Sequence, residues 1–104
     1  MFVVHPKRFA IVKTDSEPKE FLAVVRMGEG FTAIVPEESL REDVFEYEKG
    51  FRLITILKPL GSENLRDMAV FTISTDSVEL VLVREEDLGR VLEVLKDEVR
   101  GLQG

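Results

Sequence analysis

His5 is the one histidine in a chain that has no cysteine, so the residues that most readily ligate metals or move protons near neutral pH are almost absent. A lone imidazole could act as a general base, but its place near the N-terminus, directly before Pro6, reads as an ordinary surface position. Carboxylates are plentiful: Glu37-Glu38, Glu42-Asp43, Glu46 with Glu48, and Glu85-Glu86-Asp87. A carboxylate pair does acid–base work only when a cleft holds it at a defined separation with divergent pKa values. Nothing in these spacings sets such a geometry, so they read as solvated charges. The last trio also suits the positive start of a helix. The chain carries no calcium-loop pattern, nucleophile elbow, phosphate loop, dinucleotide glycine fingerprint or H-E-x-x-H. Gly28-Glu29-Gly30 has the glycines of a phosphate loop but no helix of useful length after it, and reads as a turn. No enzyme, metal or cofactor is expected.

Composition sets the outer limits. A chain of 104 residues, 44% apolar and 33% charged, is expected to be a single folded domain over residues 1–104. A net charge of -6 argues against nucleic acid or an anionic membrane as partner, since both need a basic face. No run is long and apolar enough to span a bilayer, and MFVVHPKRF charges too soon for a secretory signal. The expected location is cytoplasmic. One Asn, one Gln, no Cys and many Glu, Lys and Arg fit a heat-adapted, thermophilic source.

The elements that must position any site come next. Arg8 to Thr14 alternates as a first strand, stopped by Asp15-Ser16-Glu17-Pro18. Glu20–Met27 and Phe31–Val35 form a hairpin around a three-residue loop, Gly28-Glu29-Gly30. Pro36 to Gly50 is charged, with a short helix expected in its first half and a loop in its second. Phe51 to Leu60 is apolar on both faces, with Phe51, Leu53 and Leu57 on one and Ile54 and Ile56 on the other, which predicts a central strand. Pro59 and Gly61 end it. Ser62 could cap a helix, but Ser62–Asp67 has room for little more than one turn. Met68–Thr75 and Val78–Arg84 then form a second hairpin about Asp76-Ser77, lying against the Phe51–Leu60 strand. From Glu85, Leu88, Val91, Leu92, Leu95, Val99 and Leu102 recur at helical spacing. The fold class is α+β: about six strands in an antiparallel sheet with a C-terminal helix.

Several short motifs, in this order and spacing, carry a family resemblance. They are Ile34-Val35-Pro36-Glu37-Glu38, Gly50-Phe51-Arg52, Lys58-Pro59-Leu60 and the stretch Phe71-Thr72-Ile73-Ser74-Thr75 to Val83. Together they resemble the ACT-like domains of the CASTOR-type amino-acid-sensing group, related to the regulatory domains of aspartate kinases. The resemblance implies a ferredoxin-like, ACT-like sheet and regulatory binding of an amino acid, with the ligand near a turn after a strand, where backbone N–H groups at a helix start hold its carboxylate. Carried over position by position, the ligand-binding candidates are Leu60, Gly61, Ser62, Ile73, Ser74 and Thr75. The chain departs from the family in two places. Only Gly61–Asp67 stands where a full helix is usual, and the family's Asp-Tyr is here Glu79-Leu80. The shortened helix should bare one face of the sheet, and a second copy covering that face would make a homodimer.

Two readings therefore compete. One is a non-catalytic module that binds a small molecule, with an amino acid as the expected ligand. The other is an interaction or assembly protein that uses a degenerate ACT-like sheet for self-association or for a protein partner. A thermal-shift response to amino acids separates them.

Overall fold

The second hydrophobic run proves to be buried on both faces: Phe51, Leu53, Ile54 and Ile56 are all at most 4% exposed. Such a strand belongs inside a sheet. In the computed structural model, which describes residues 1–40 and 46–103 (Gln103 as backbone only), it is the second half of β4. The strands are β1 (Phe2–Thr14), β2 (Ala23–Met27), β3 (Gly30–Pro36), β4 (Glu46–Leu57), β5 (Ala69–Ser74) and β6 (Val78–Arg84). They form one sheet in the order β2-β3-β1-β4-β6-β5, and a single helix, α1 (Leu88–Gln103), follows the last strand. The fold is α+β, with antiparallel pairing of β1 to β3, β2 to β3, β4 to β6 and β5 to β6. No described helix is long and apolar enough to cross a membrane.

Contacts divide the chain into two units, Met1–Pro6 with Phe51–Gly104, and Lys7–Gly50. In the first, β4 pairs with β6 from Phe51↔Arg84 to Leu57↔Val78, and β6 pairs with β5. Side chains alternate across a strand, so Ile54, Ile56, Val81 and Val83 share one face. The helix covers that face: Val91 and Leu95 are fully buried in one cluster with those four residues and with Leu60, Leu65 and Met68. The face expected to be bare is thus filled, because α1 and the short 61–68 segment supply the apolar cover that the missing helix would have given. The expected reason for a homodimer falls with it. Along α1 the predicted stripe holds at Val91 and Leu95, which are fully buried, and at Leu88 and Val99, which pack against them, while Val94 joins the cover and Leu102 stays 57% exposed. Glu85–Asp87 is a 3-10 turn ahead of the helix.

In the second unit Ala10, Val12, Ala33 and Val35 form a small core, with Val24 and Leu40 packed on it. The β2–β3 connection is tighter than expected. Met27 pairs directly with Gly30, and Gly28 takes φ +60°. Pro36 leads into a 3-10 turn, Glu37–Ser39, where a short helix was expected. The expected loop up to Gly50 lies partly outside the described residues, but Glu46–Gly50 is strand. The N-terminus also differs: β1 begins at Phe2, and the Leu57 N–H donates to the Met1 carbonyl at 2.8 Å. A partner half the chain away satisfies these backbone groups, so His5-Pro6 does not break the strand.

Candidate functional site

The segment between β4 and β5 is where the site residues were expected. Leu57 to Leu60 turns sharply, with the Leu60 N–H donating to the Leu57 carbonyl at 3.2 Å across a cis Lys58–Pro59 peptide. Leu60 then drops into the core at 3% exposure, so its side chain is packing rather than lining. The next seven residues cannot make a helix, and only Glu63–Leu65 winds, as a 3-10 turn. Ser62 stands at the cap position without capping; its hydroxyl donates to the Glu79 carboxylate. A helix start offering several free N–H groups to a carboxylate, as the resemblance implied, is therefore not formed here. Leu65 is fully buried and anchors the turn, which leaves Glu63, Asn64 and Arg66 on the outside.

These outward residues meet the edge strand. Ser62, Glu63 and Arg66 with Ala69, Val70, Phe71 and Thr72 line an open groove of about 440 Å³. β5 is the last strand in the sheet order, so one side of its backbone has no neighbouring strand. Alternate residues there turn an N–H and a C=O away from β6, where a ligand can use them. Glu63 and Arg66 bring opposite charges to the same groove, and neither forms a hydrogen bond or ion pair with another described residue. A Cβ at Gly61 would lie 2.8 Å from the Glu63 carboxyl carbon, the far end of an exposed, flexible side chain that can swing aside.

The six expected positions separate cleanly. Ser62 lines the groove, and Gly61 stands beside Glu63. Ser74 pairs with Glu79 across the β5–β6 ladder, so Glu79 stands between Ser62 and Ser74. Ile73 pairs with Leu80 and shares that residue's face, away from Glu79. Thr75 is spent on the turn: its N–H and hydroxyl both donate to the Val78 carbonyl, and its hydroxyl oxygen accepts from the Val78 N–H. Leu60 is core. Of the six, the structure places only Ser62 in the groove lining; Ser74 stands opposite Glu79 on β6, and Leu60, Ile73 and Thr75 are left out. It adds Glu63, Arg66 and Glu79. Their signal was available: Glu63 and Arg66 are charges three apart around an apolar Leu65, a turn with one buried and one polar side.

A second groove, of about 390 Å³, lies in the Lys7–Gly50 unit, lined by Lys13, Thr14, Asp15, Met27, Gly30, Phe31, Thr32 and Glu46. Its one cation is already used, because Lys13 pairs with Glu46 at 3.3 Å, which leaves the Asp15 carboxylate as the charge facing the groove. The Thr14 hydroxyl donates to the Ser16 carbonyl and accepts from the Ser16 N–H. Glu42-Asp43 lies outside the described residues, and the other acidic pairs behave as partnered charges near the surface. Glu38 pairs with Lys7 at 2.7 Å, Glu37 accepts from the Gly50 N–H, and Glu85 pairs with Arg52 at 3.5 Å. His5 bonds the Thr55 hydroxyl at 2.9 Å, and its carbonyl accepts from Arg52. Among the described residues no cluster of three potential metal ligands forms.

No protein-family model matches the chain, and no curated protein does. Among solved structures it is similar to the crystal structure of protein Atu0741 from Agobacterium tumefaciens, determined as a structural-genomics target. The two share 17% identity at a TM-score of 0.66, over 88% of this chain and 82% of that one. Identity at this level speaks for the fold alone.

Proposed function

We propose that this chain is a non-catalytic regulatory module that binds a free amino acid in the groove beside β5. The observation that carries the reading is the meeting, against an open strand edge, of a cation and an anion without partners among the described residues, Arg66 and Glu63, with the Glu79-bound hydroxyl of Ser62 beside them. An amino acid is a zwitterion that the groove has room to hold. Its carboxylate suits the planar guanidinium of Arg66, which binds such groups with two parallel hydrogen bonds. Its ammonium suits Glu63, and the outward N–H and C=O groups of β5 fix its orientation. Val70 and Phe71 offer an apolar wall to its side chain.

The residue resemblance to ACT-like, CASTOR-type domains supports the same ligand class. On this reading the chain is an ACT-like, cytoplasmic variant of a ferredoxin-like arrangement. Its helix before the last hairpin is reduced to the Glu63–Leu65 turn, and α1 covers the face that helix would occupy.

Thermal denaturation with a panel of free amino acids tests the proposal. A ligand present at ten times its dissociation constant stabilises the native state by about 1.4 kcal/mol, which raises the melting temperature of a domain this size by roughly 5 °C. Arg66→Ala should abolish that rise. Unchanged melting with every amino acid at millimolar concentration would overturn the reading.

A further inference from the structure

The other edge strand, β2, is built differently from β5 and has no role in the ligand reading. It is the first strand in the sheet order, so one side of its backbone is unpaired. Soluble proteins blunt such edges with bulges, prolines, lysines or short strands, because an open edge templates another chain. β5 is blunted in this way: its register on β6 shifts between Ala69 and Phe71, and charged Glu63 and Arg66 stand beside it. β2 is short, at five residues, but it pairs with β3 without a shift over Ala23↔Ile34 to Met27↔Gly30 and contains no proline. Its inner face is anchored by Val24 on the Ala10–Val35 cluster. On the other face Phe21, Val25 and Met27 are 42%, 48% and 62% exposed.

We propose that β2 pairs with β2 of a second copy of this chain, antiparallel about a two-fold axis. Self-pairing demands self-complementarity, because each residue meets a partner set by the same register on both chains. A register with Ala23 opposite Ala23 supplies it. Phe21 and Glu20 lie just ahead of β2, and the new pairing would extend the strand through them: Phe21 then lies across from Val25, an aromatic against a β-branched residue, and Glu20, which accepts from the Ser39 hydroxyl at 3.1 Å, across from Arg26. The two-fold axis makes this one charged contact, Glu20 with Arg26, occur twice in the dimer. Arg26 has no hydrogen bond or ion pair to another described residue, so it is available. The chain carries a net charge of -6, yet the segment from Lys19 to Met27 has two cations and one anion, which lifts the repulsion that two acidic copies would otherwise feel. The bulged β5 offers no second equivalent edge, so the pairing closes at two copies instead of running on as a fibre.

Sedimentation equilibrium on the whole chain, with and without salt, tests this. The expected mass is twice the 11.8 kDa of one chain. Val25→Lys, at an exposed position, should raise the dimer dissociation constant at least tenfold while circular dichroism stays unchanged. Arg26→Glu sets Glu against Glu twice and should weaken the dimer by about tenfold. Glu20→Arg combined with Arg26→Glu should restore it. A monomer at tens of micromolar, or a dimer indifferent to Val25→Lys, would overturn the proposal. A dimer that the double charge swap fails to restore would overturn the Ala23-centred register. None of these outcomes depends on whether an amino acid binds.

Discussion

The two edge strands of this sheet solve one problem in opposite ways. β5 is bulged, sits over a turn that presents Ser62, Glu63 and Arg66, and has a groove beside it. β2 is regular and carries an apolar stripe in the open. The unpaired backbone is the same at both edges; what differs is the chemistry placed beside it. Charges and a hydroxyl in a confined groove favour a small polar ligand. A flat strand with Phe21, Val25 and Met27 exposed favours another strand.

The contrast breaks most visibly where the turn by β5 is anchored. Leu65 is fully buried, so Leu65→Ala should cost about 2–5 kcal/mol, the usual range for a buried leucine truncation. Val25→Ala on β2, at 48% exposure, should change the monomer's stability by less than about 0.5 kcal/mol. Urea denaturation of both variants, extrapolated to the monomer, checks the pair.

A smaller effect separates the Ser62–Glu79 bond from the surface pairs. Glu79 is partly buried and receives the Ser62 hydroxyl, so Ser62→Ala should cost about 1–2 kcal/mol, as for other hydrogen bonds to charged groups. The same denaturation measurement reads it, and a cost near zero would mean that water replaces the hydroxyl.

At the β2 end, the turn is the sensitive point. Gly28 holds φ +60°, so Gly28→Ala should destabilise by about 1 kcal/mol. Gly89, in the first turn of α1 with open space around it, should behave oppositely. Gly89→Ala is expected to stabilise by about 0.5–1 kcal/mol. Melting curves of the two variants should move in opposite directions.

The smallest effect belongs to Lys7. Its hydrogen bond to Glu38, together with the attraction of that charge, raises its pKa above the ordinary 10.5. A raised folded-state value means that any stabilisation is present in full below about pH 10.5 and fades as the pH rises through the folded value. Both side chains are more than half exposed, so solvent screens the pair. Lys7→Met should leave the melting temperature at pH 7 within experimental error.

Much of this was legible from the sequence. The 3.6-residue spacing of Val91 and Leu95 announced α1, and the apolar content of both faces of Phe51–Ile56 announced an interior strand. Asp76-Ser77 marked the turn between β5 and β6. What escaped had no local signal. Glu46–Lys49 is exposed on both faces, so no alternation betrays it as strand. Met1–Pro6 is strand only because β4 supplies its partner. At the site, Ser62 was legible as a polar residue at a turn, while Glu63 and Arg66 looked like remnants of a lost helix. Glu79 stood only as the acid that replaces the family's Asp, beside the tyrosine lost at Leu80, until the fold showed it receiving the Ser62 hydroxyl. Leu60, Ile73 and Thr75 were carried by motif position, and position alone cannot tell a lining side chain from a core or turn one.

The most direct test of the groove is a titration of the isotopically labelled protein with free amino acids, followed through its backbone amide resonances. The account predicts saturable shifts for at least one amino acid, concentrated at Ser62–Arg66 and Ala69–Thr72, while Lys13–Glu17 and Met27–Thr32 around the second groove stay still. An absence of shifts for every amino acid at 10-fold above typical millimolar levels, or shifts centred on the second groove, would contradict it.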